Sequence, residues 1–302
     1  MAKKSPPKKS AKSAKSTTKS KAAKTVKPTK APAKKVATKV TKPVKKISFE
    51  SLNKWNLGLA ALHFIQGVAV VLLATKSSLP VTTNYLTLDT LASKAGSPAL
   101  VSATRHLFDI NLAYLVAAFF FLSAIAHLVI ATVYRQTYEA DLKQGINKAR
   151  WIEYSLSASV MMVAIAMLTG VYEASSLLMI FALICVMNLM GLVMEVHNQT
   201  TKSTNWLSYI IGCKAGIVPW LVVVIYVLGA NAYGSGQIPT FVYWIYGSMF
   251  VLFSLFAVNM YLQYKKVGKW ADYLYGERIY MILSLVAKSL LAWQVFFGAL
   301  RP

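Results

Sequence analysis

Residues 279–299 read IYMILSLVAKSLLAWQVFFGA, an apolar run of bilayer-spanning length that holds a single charge, Lys288, about nine residues from either end. An ammonium at that depth reaches neither interface easily. Because a charge at the bilayer centre costs several kcal/mol, an intramembrane lysine is a functional residue by default. Working outward, six more runs of similar length precede it, at about 55–75, 111–133, 152–172, 177–196, 207–229 and 239–262. Across the 302 residues, 56% are hydrophobic and only 14% charged, against roughly 25% charged in an average soluble domain. The expected fold is an all-α membrane protein, a seven-transmembrane-helix bundle over residues 47–302.

Residues 1–46 differ in kind. They hold 17 of the lysines and no arginine or acid, interspersed with Ala, Ser, Thr and Pro. Such a segment has nothing to bury and is expected to be a disordered tail. It carries +17 of the formal charge of +23, leaving +6 for the rest. Lysine-rich composition of this kind suits nucleic acid or an anionic lipid surface. Beside a membrane the lipid is the simpler partner, at about 1 kcal/mol per lysine near the surface. No apolar stretch precedes the first run, so that run is expected to serve as the insertion signal.

The loops set the orientation. Nine basic residues (Arg135, Lys143, Lys148, Arg150, Lys202, Lys265, Lys266, Lys269 and Arg278) fall in connections on one side, together with the tail. Lys76, Lys94 and Arg105 fall on the other. The positive side faces the cytoplasm, which places the N-terminus inside and the C-terminus outside. Residues 76–110 form the one long loop, and the alternation in VTTNYLTLDTL from Val81 predicts a hairpin. Cys185 and Cys213 both sit in apolar runs and read as small packing residues rather than a disulfide or a metal site.

Of the ten acids, Glu50, Asp89, Asp109, Glu139, Asp141, Glu173, Asp272 and Glu277 are expected outside the spans, with Glu195 at the cytoplasmic end of the fourth. Glu153 alone is expected within a span. Three polar pairs recur at a spacing of four: Ser284 with Lys288, Glu153 with Ser157, and Ser123 with His127. That spacing puts both members on one helix face. His63, midway along the first span, adds a fourth element to a possible interior pocket. A deep lysine opposed by one carboxylate fits two descriptions. One is a structural ion pair; the other is a lysine carrying an aldehyde cofactor as a protonated Schiff base, whose positive charge survives desolvation only beside an opposing charge. Trp220, Trp244, Trp293, Phe250, Phe253, Met161 and Met162 are candidate walls for an apolar slot, though aromatic and Met stripes are commonly plain core. Lys214, inside Gly212-x-x-x-Gly216, matches no motif; either it snorkels to the cytoplasmic surface or the helix boundary there is misplaced.

Four segments carry a family resemblance. RWIEYSLSASVMM from Arg150 to Met162 resembles the third helix of heliorhodopsins, and NLMGLVMEVHN from Asn188 to Asn198 resembles the end of their fourth. SLVAK from Ser284 to Lys288, followed by SLLAWQ, resembles their retinal-lysine helix. Trp55-Asn-Leu through His63 resembles their first. The resemblance extends over roughly residues 52–300 and leaves out the tail. It implies a rhodopsin-type bundle with all-trans retinal bound covalently to Lys288 and Glu153 as counterion. It also implies hydrogen bonds from Ser123, Ser157 and Ser284 around the Schiff base, a polar cavity at His63 and His127, and a homodimer with a cytoplasmic N-terminus.

Two functions follow from this reading. The first is a photoreceptor that signals to a partner the sequence does not identify. The second is a light-gated passive proton path, with His63, His127 and Glu195 as a possible relay. A pump needs carboxylates on both sides of the lysine, and only one is expected in the membrane. An enzyme is not expected, since there is no nucleophile–base triad, phosphate loop or metal spacing.

Overall fold

The computed structural model describes residues 47–94, 96–236 and 238–301. The tail of residues 1–46, expected to be disordered and lipid-associated, lies outside the described residues. Helix α1 (Phe49–Leu73) is followed by a hairpin of β1 (Ser78–Leu88) and β2 (Leu100–Asn111), and then by α2 (Leu112–Ala131). Next come a short helix α3 (Arg135–Lys143), α4 (Lys148–Leu168), α5 (Ala174–His197), α6 (Leu207–Tyr233), α7 (Thr240–Tyr264) and α8 (Tyr273–Val295). The last helix runs on through a π-helical turn, Phe296–Leu300. Apart from α3, all the α-helices are long and apolar enough to cross a membrane.

Local chemistry explains where these helices begin. Ser48 caps α1 by accepting from Ser51 N at 3.1 Å, and Asn111 caps α2 by accepting from Ala113 N at 2.9 Å. Asn147 caps α4 through Arg150 N at 3.0 Å, Glu173 caps α5 through Ser176 N at 2.7 Å, and Asp272 caps α8 through Leu274 N at 3.0 Å. Each side chain satisfies an amide that the first turn of a helix leaves without a carbonyl. The expected hairpin is present, antiparallel, with an irregularity between Val81 and Thr82.

Three boundaries differ from the sequence expectation in ways that matter below. Helix α8 starts at Tyr273 rather than near 279, so Glu277 and Arg278 lie within a helix and not in a loop. Helix α4 starts at Lys148 rather than near 152, which takes in Arg150, and α1 starts at Phe49 and takes in Glu50. In each case hydropathy falls where charges begin while the backbone hydrogen bonding continues past the apolar edge. Arg150 and Glu277, expected to be loop residues, are both buried.

Packing places α4 at the centre. Its apolar window is 67% buried, against 17% for α7. Helices α2, α4 and α5 pack side by side, with α1 on α2, α6 on α5 and α7 on α8. The backbones of α6 and α7 stay apart. Side chains bridge them at the two ends: Tyr209 OH donates to Ala257 O at 3.1 Å, and Tyr243 OH donates to Asn231 Oδ1 at 2.8 Å. Between those bridges lies a cavity of about 250 Å³. Both cysteines are free thiols; Cys185 is half-buried, but Cys213 is exposed rather than packed in the interior.

Candidate functional site

Lys288 lies on α8 and is 3% exposed. Its Nζ donates to Ser284 Oγ one turn earlier at 2.7 Å and stands 3.2 Å from Glu153 Oε1 on α4. Ser123 of α2 donates to the same carboxylate oxygen at 2.6 Å. Three helices thus bring Lys288, Glu153, Ser123 and Ser284 to one point. Both side chains are buried, where their attraction is little screened and the cost of losing either partner is large. Ser157 is fully buried, one turn along α4 from Glu153, and its Oγ makes no hydrogen bond among the described residues.

The two histidines sit together, as their sequence positions suggested. His63 is fully buried, stacked on His127 with ring centroids 5.7 Å apart and planes 12° from parallel. Asn56 donates its amide to Leu52 O at 3.0 Å, which turns its Oδ1 toward His127 Nδ1 at 2.8 Å. That arrangement assigns the proton to Nδ1 and leaves Nε2 as an acceptor. Among the described residues neither nitrogen of His63, nor Nε2 of His127, has a hydrogen-bond partner. A small polar cavity, lined by His127, Glu153, Asn56, Tyr138, Asn147, Arg150 and Glu277 among others, continues from this group toward the α3 side of the bundle.

That cavity ends at a cluster absent from the sequence expectation. Arg150 pairs with Glu195 at 2.5 Å and also with Glu277. Glu195 further accepts from Asn147 N at 2.9 Å, Trp151 Nε1 at 2.7 Å and Tyr273 OH at 3.2 Å. Glu277 accepts from Asn147 Nδ2 at 2.6 Å. The guanidinium lies over the Tyr280 ring at 4.0 Å and the Trp151 ring at 4.5 Å. Glu195, expected to relay protons with the histidines, is instead bound into this cluster, because a buried carboxylate takes the nearest cation. The sequence signal was the spacing of three between Arg150 and Glu153, which sets both on the inward side of α4.

On the other side of Lys288 the lining turns apolar. A cavity of about 40 Å³ beside the lysine is walled by Tyr154, Ala158, Met161, Met187, Phe253, Phe256 and Ala287, with Asn188 and Ser284 its other polar neighbours. It shares Met187, Asn188, Phe253 and Phe256 with a larger cavity of about 250 Å³ between α5, α6 and α7, where Trp220 and Phe250 stand. Trp220 meets Phe250 and Phe253 edge-on, with centroids 5.4 Å and 5.6 Å apart. Of the expected wall residues, Met161, Trp220, Phe250 and Phe253 line these spaces. Met162 is fully buried in the core but lines neither. Trp293 packs on the core and donates to Gln66 Oε1 at 3.2 Å. Trp244 must be corrected: it is 69% exposed, because the inward stripe of α7 runs through Val242, Ile245 and Met249, and one residue from Ile245 is a turn of about 100° away.

A buried amine, a carboxylate against it and an apolar cavity at the amine that shares its wall with a larger one suit an apolar carbonyl compound that forms a cationic linkage to lysine. The structure resembles a light-driven proton pump, LR (Mac), from Leptosphaeria maculans, with a TM-score of 0.55 and 15% identity over 81% of this chain and 94% of that one. At that identity the likeness shows the fold alone. No curated protein matches the chain. The family model described as Heliorhodopsin matches residues 52–300, from within α1 to the end of the last helix. An integral multi-pass membrane protein by its seven apolar helices, the chain belongs to the heliorhodopsin family and is therefore a retinal protein.

Proposed function

We propose that this protein is a photoreceptor whose all-trans retinal is held covalently on Lys288 as a protonated Schiff base, with Glu153 as counterion. The observation that carries the reading is the Lys288–Glu153 pair at 3.2 Å, open on one side to the apolar cavity. Retinal supplies light absorption and photoisomerisation. The rest falls to the protein. Glu153 balances the positive charge at Nζ, and Ser123 holds the carboxylate oxygen that faces it. Ser284 fixes the lysine end of the linkage. Ser157, His63 and His127 offer unpaired polar atoms to a proton leaving that pair. Met161, Trp220 and Phe250 shape the slot. With the basic loops inside, the N-terminus is cytoplasmic and the C-terminus extracellular. A homodimer and a cytoplasmic signalling partner complete the proposal.

Glu153→Gln tests the counterion. The substitution keeps the side-chain volume and removes the charge opposite Nζ, so the cation loses its main stabilisation in a buried place. The expected result is a pigment whose visible colour fades at a lower pH than in the wild type, followed by absorption spectra over a pH series. A pH profile identical to the wild type would remove Glu153 from the role.

A light-gated passive proton path is the second reading, and the polar cavity from Glu153 and His127 toward Arg150 and Glu277 favours it. A pump has less support: among the described residues, the other two carboxylates buried within spans are both tied to Arg150. Voltage-clamped cells illuminated at several potentials separate the readings. The photoreceptor predicts no steady photocurrent, whereas a current that reverses with the proton gradient replaces it with the gated path.

A further inference from the structure

We propose that the lipid-facing side of α6 and the turn between α7 and α8 together bind the headgroup of an anionic phospholipid, with Lys214 and Lys265 as its main cations. The first observation is Lys214 itself. It is exposed, seven residues inside α6, about 10 Å along the axis at 1.5 Å per residue. Its neighbours on that face, Leu207, Ile210, Ile217 and Leu221, are all exposed apolar side chains. A lysine in a lipid-facing stripe extends its ammonium toward the interface, and there the groups in reach are phosphates.

The second observation is the turn. Lys265, Lys266 and Lys269 are exposed in KKVGK, with Lys266 in the left-handed region at φ 52°. Lys265 Nζ stands 5.5 Å from the Trp206 ring and 5.9 Å from the Tyr261 ring. Those aromatics form one cluster across the ends of α6 and α7. Contact with two ring faces holds the cation at the level where interfacial aromatics sit.

The third is an asymmetry of charge. On the α1–α4 side most cations are matched by acids, Lys54 with Glu50 at 2.9 Å, Arg135 with Glu139 at 2.9 Å and Lys148 with Asp141 at 3.0 Å, and the exception, Lys143, lies 5.6 Å from the Phe49 ring. On the α5–α8 side the acids are committed, Glu195 and Glu277 to Arg150 and Asp272 to the start of α8. Among the described residues Lys202, Lys214, Lys265, Lys266 and Lys269 form no ion pair. This sector therefore attracts an anion from outside the chain. A phospholipid meets both demands, with its phosphate at the aromatic cluster and its acyl chains along the Leu207–Leu221 stripe. A soluble acidic protein does not reach a lysine set within an apolar stripe. On the orientation proposed above this is the cytoplasmic leaflet, where anionic lipid resides.

The test uses the full chain in detergent, titrated with phosphatidylglycerol or phosphatidylcholine and read by native mass spectrometry. It does not depend on the chromophore. The wild type is expected to retain phosphatidylglycerol in preference. The triple variant K214Q/K265Q/K266Q is expected to bind it at least about tenfold more weakly, while K214R/K265R/K266R keeps the affinity. The lysines of residues 1–46 are present in every form, so the differences between variants report this site. Lys214→Gln alone, a change on the outer surface of α6, gives a smaller loss in the same direction and guards against misfolding of the triple variant. Equal retention by wild type and variants overturns the proposal. Displacement by soluble glycerophosphoglycerol as effective as by the lipid also overturns it, since that marks a general anion site.

Discussion

Lys288→Ala, reconstituted with retinal, is expected to give a protein with no visible band, while the wild type is coloured and is bleached by hydroxylamine. The substitution removes the amine that the covalent linkage needs, and no other described lysine lies within the bundle interior. It also strips Glu153 of the cation 3.2 Å away, leaving a buried carboxylate held chiefly by Ser123. An unpaired buried charge costs about 3–5 kcal/mol when its partner is removed, so loss of colour from Lys288→Ala alone has two causes. The double variant Lys288→Ala, Glu153→Gln separates them, because it removes both charges together and leaves hydrogen-bonding groups in place. It is expected to recover the helical circular dichroism and thermal stability of the wild type and still to lack colour. A visible band in either variant would put the chromophore elsewhere and overturn the proposed attachment. Colour restored only by Glu153→Gln in the Lys288→Ala background would make the lysine a structural partner of the carboxylate and nothing more.

The bilayer explains how much of this could be read in advance. With no water to take up backbone hydrogen bonds, each crossing must be a helix of about twenty apolar residues, and the seven runs were therefore visible without any coordinates. Lys288 and Glu153 stood out as charges where charge is costly, and the spacing of four tied Ser284 to the first and Ser157 to the second, while Ser123 was paired with His127 and its bond to Glu153 came only with the structure. Arg150 and Glu277 were hidden by the same rule, and with them the partner that Glu195 takes. Hydropathy drops where charges start, so Arg150 and Glu277 were assigned to loops although α4 and α8 continue past them. The short helix α3 was missed because it is polar on most of its surface, burying Tyr138, Asp141 and Leu142 only by folding back on its neighbours. Trp244 failed for the opposite reason. A helix apolar on every side gives no phase, so nothing in the sequence distinguishes its inward stripe from the face toward lipid.

Replacing Arg150 is expected to have the largest effect on stability of any single change outside the lysine–carboxylate pair. Arg150→Met leaves Glu195 and Glu277 buried at 1% exposure each, both facing the place the guanidinium held. Their remaining donors, Asn147, Trp151 and Tyr273, are neutral and do not offset two adjacent negative charges. A loss of about 3–5 kcal/mol is expected, seen as a lower thermal midpoint in circular dichroism and lower yield. Methionine keeps much of the arginine stem against Tyr280 and Trp151, so the loss reports charge more than packing. Arg150→Lys is expected to fall between, since one ammonium cannot span both carboxylates and lie over two rings as the planar guanidinium does. Adding Glu195→Gln and Glu277→Gln to Arg150→Met makes the cluster neutral while keeping its hydrogen bonds, and most of the stability should return. If that triple variant stays as weak as Arg150→Met, the arginine acts through its contacts with the two rings and the ion cluster is incidental. If it recovers, the ion cluster is what closes α4, α5 and α8 together, and its effect on photocurrent can be measured in a protein that still folds.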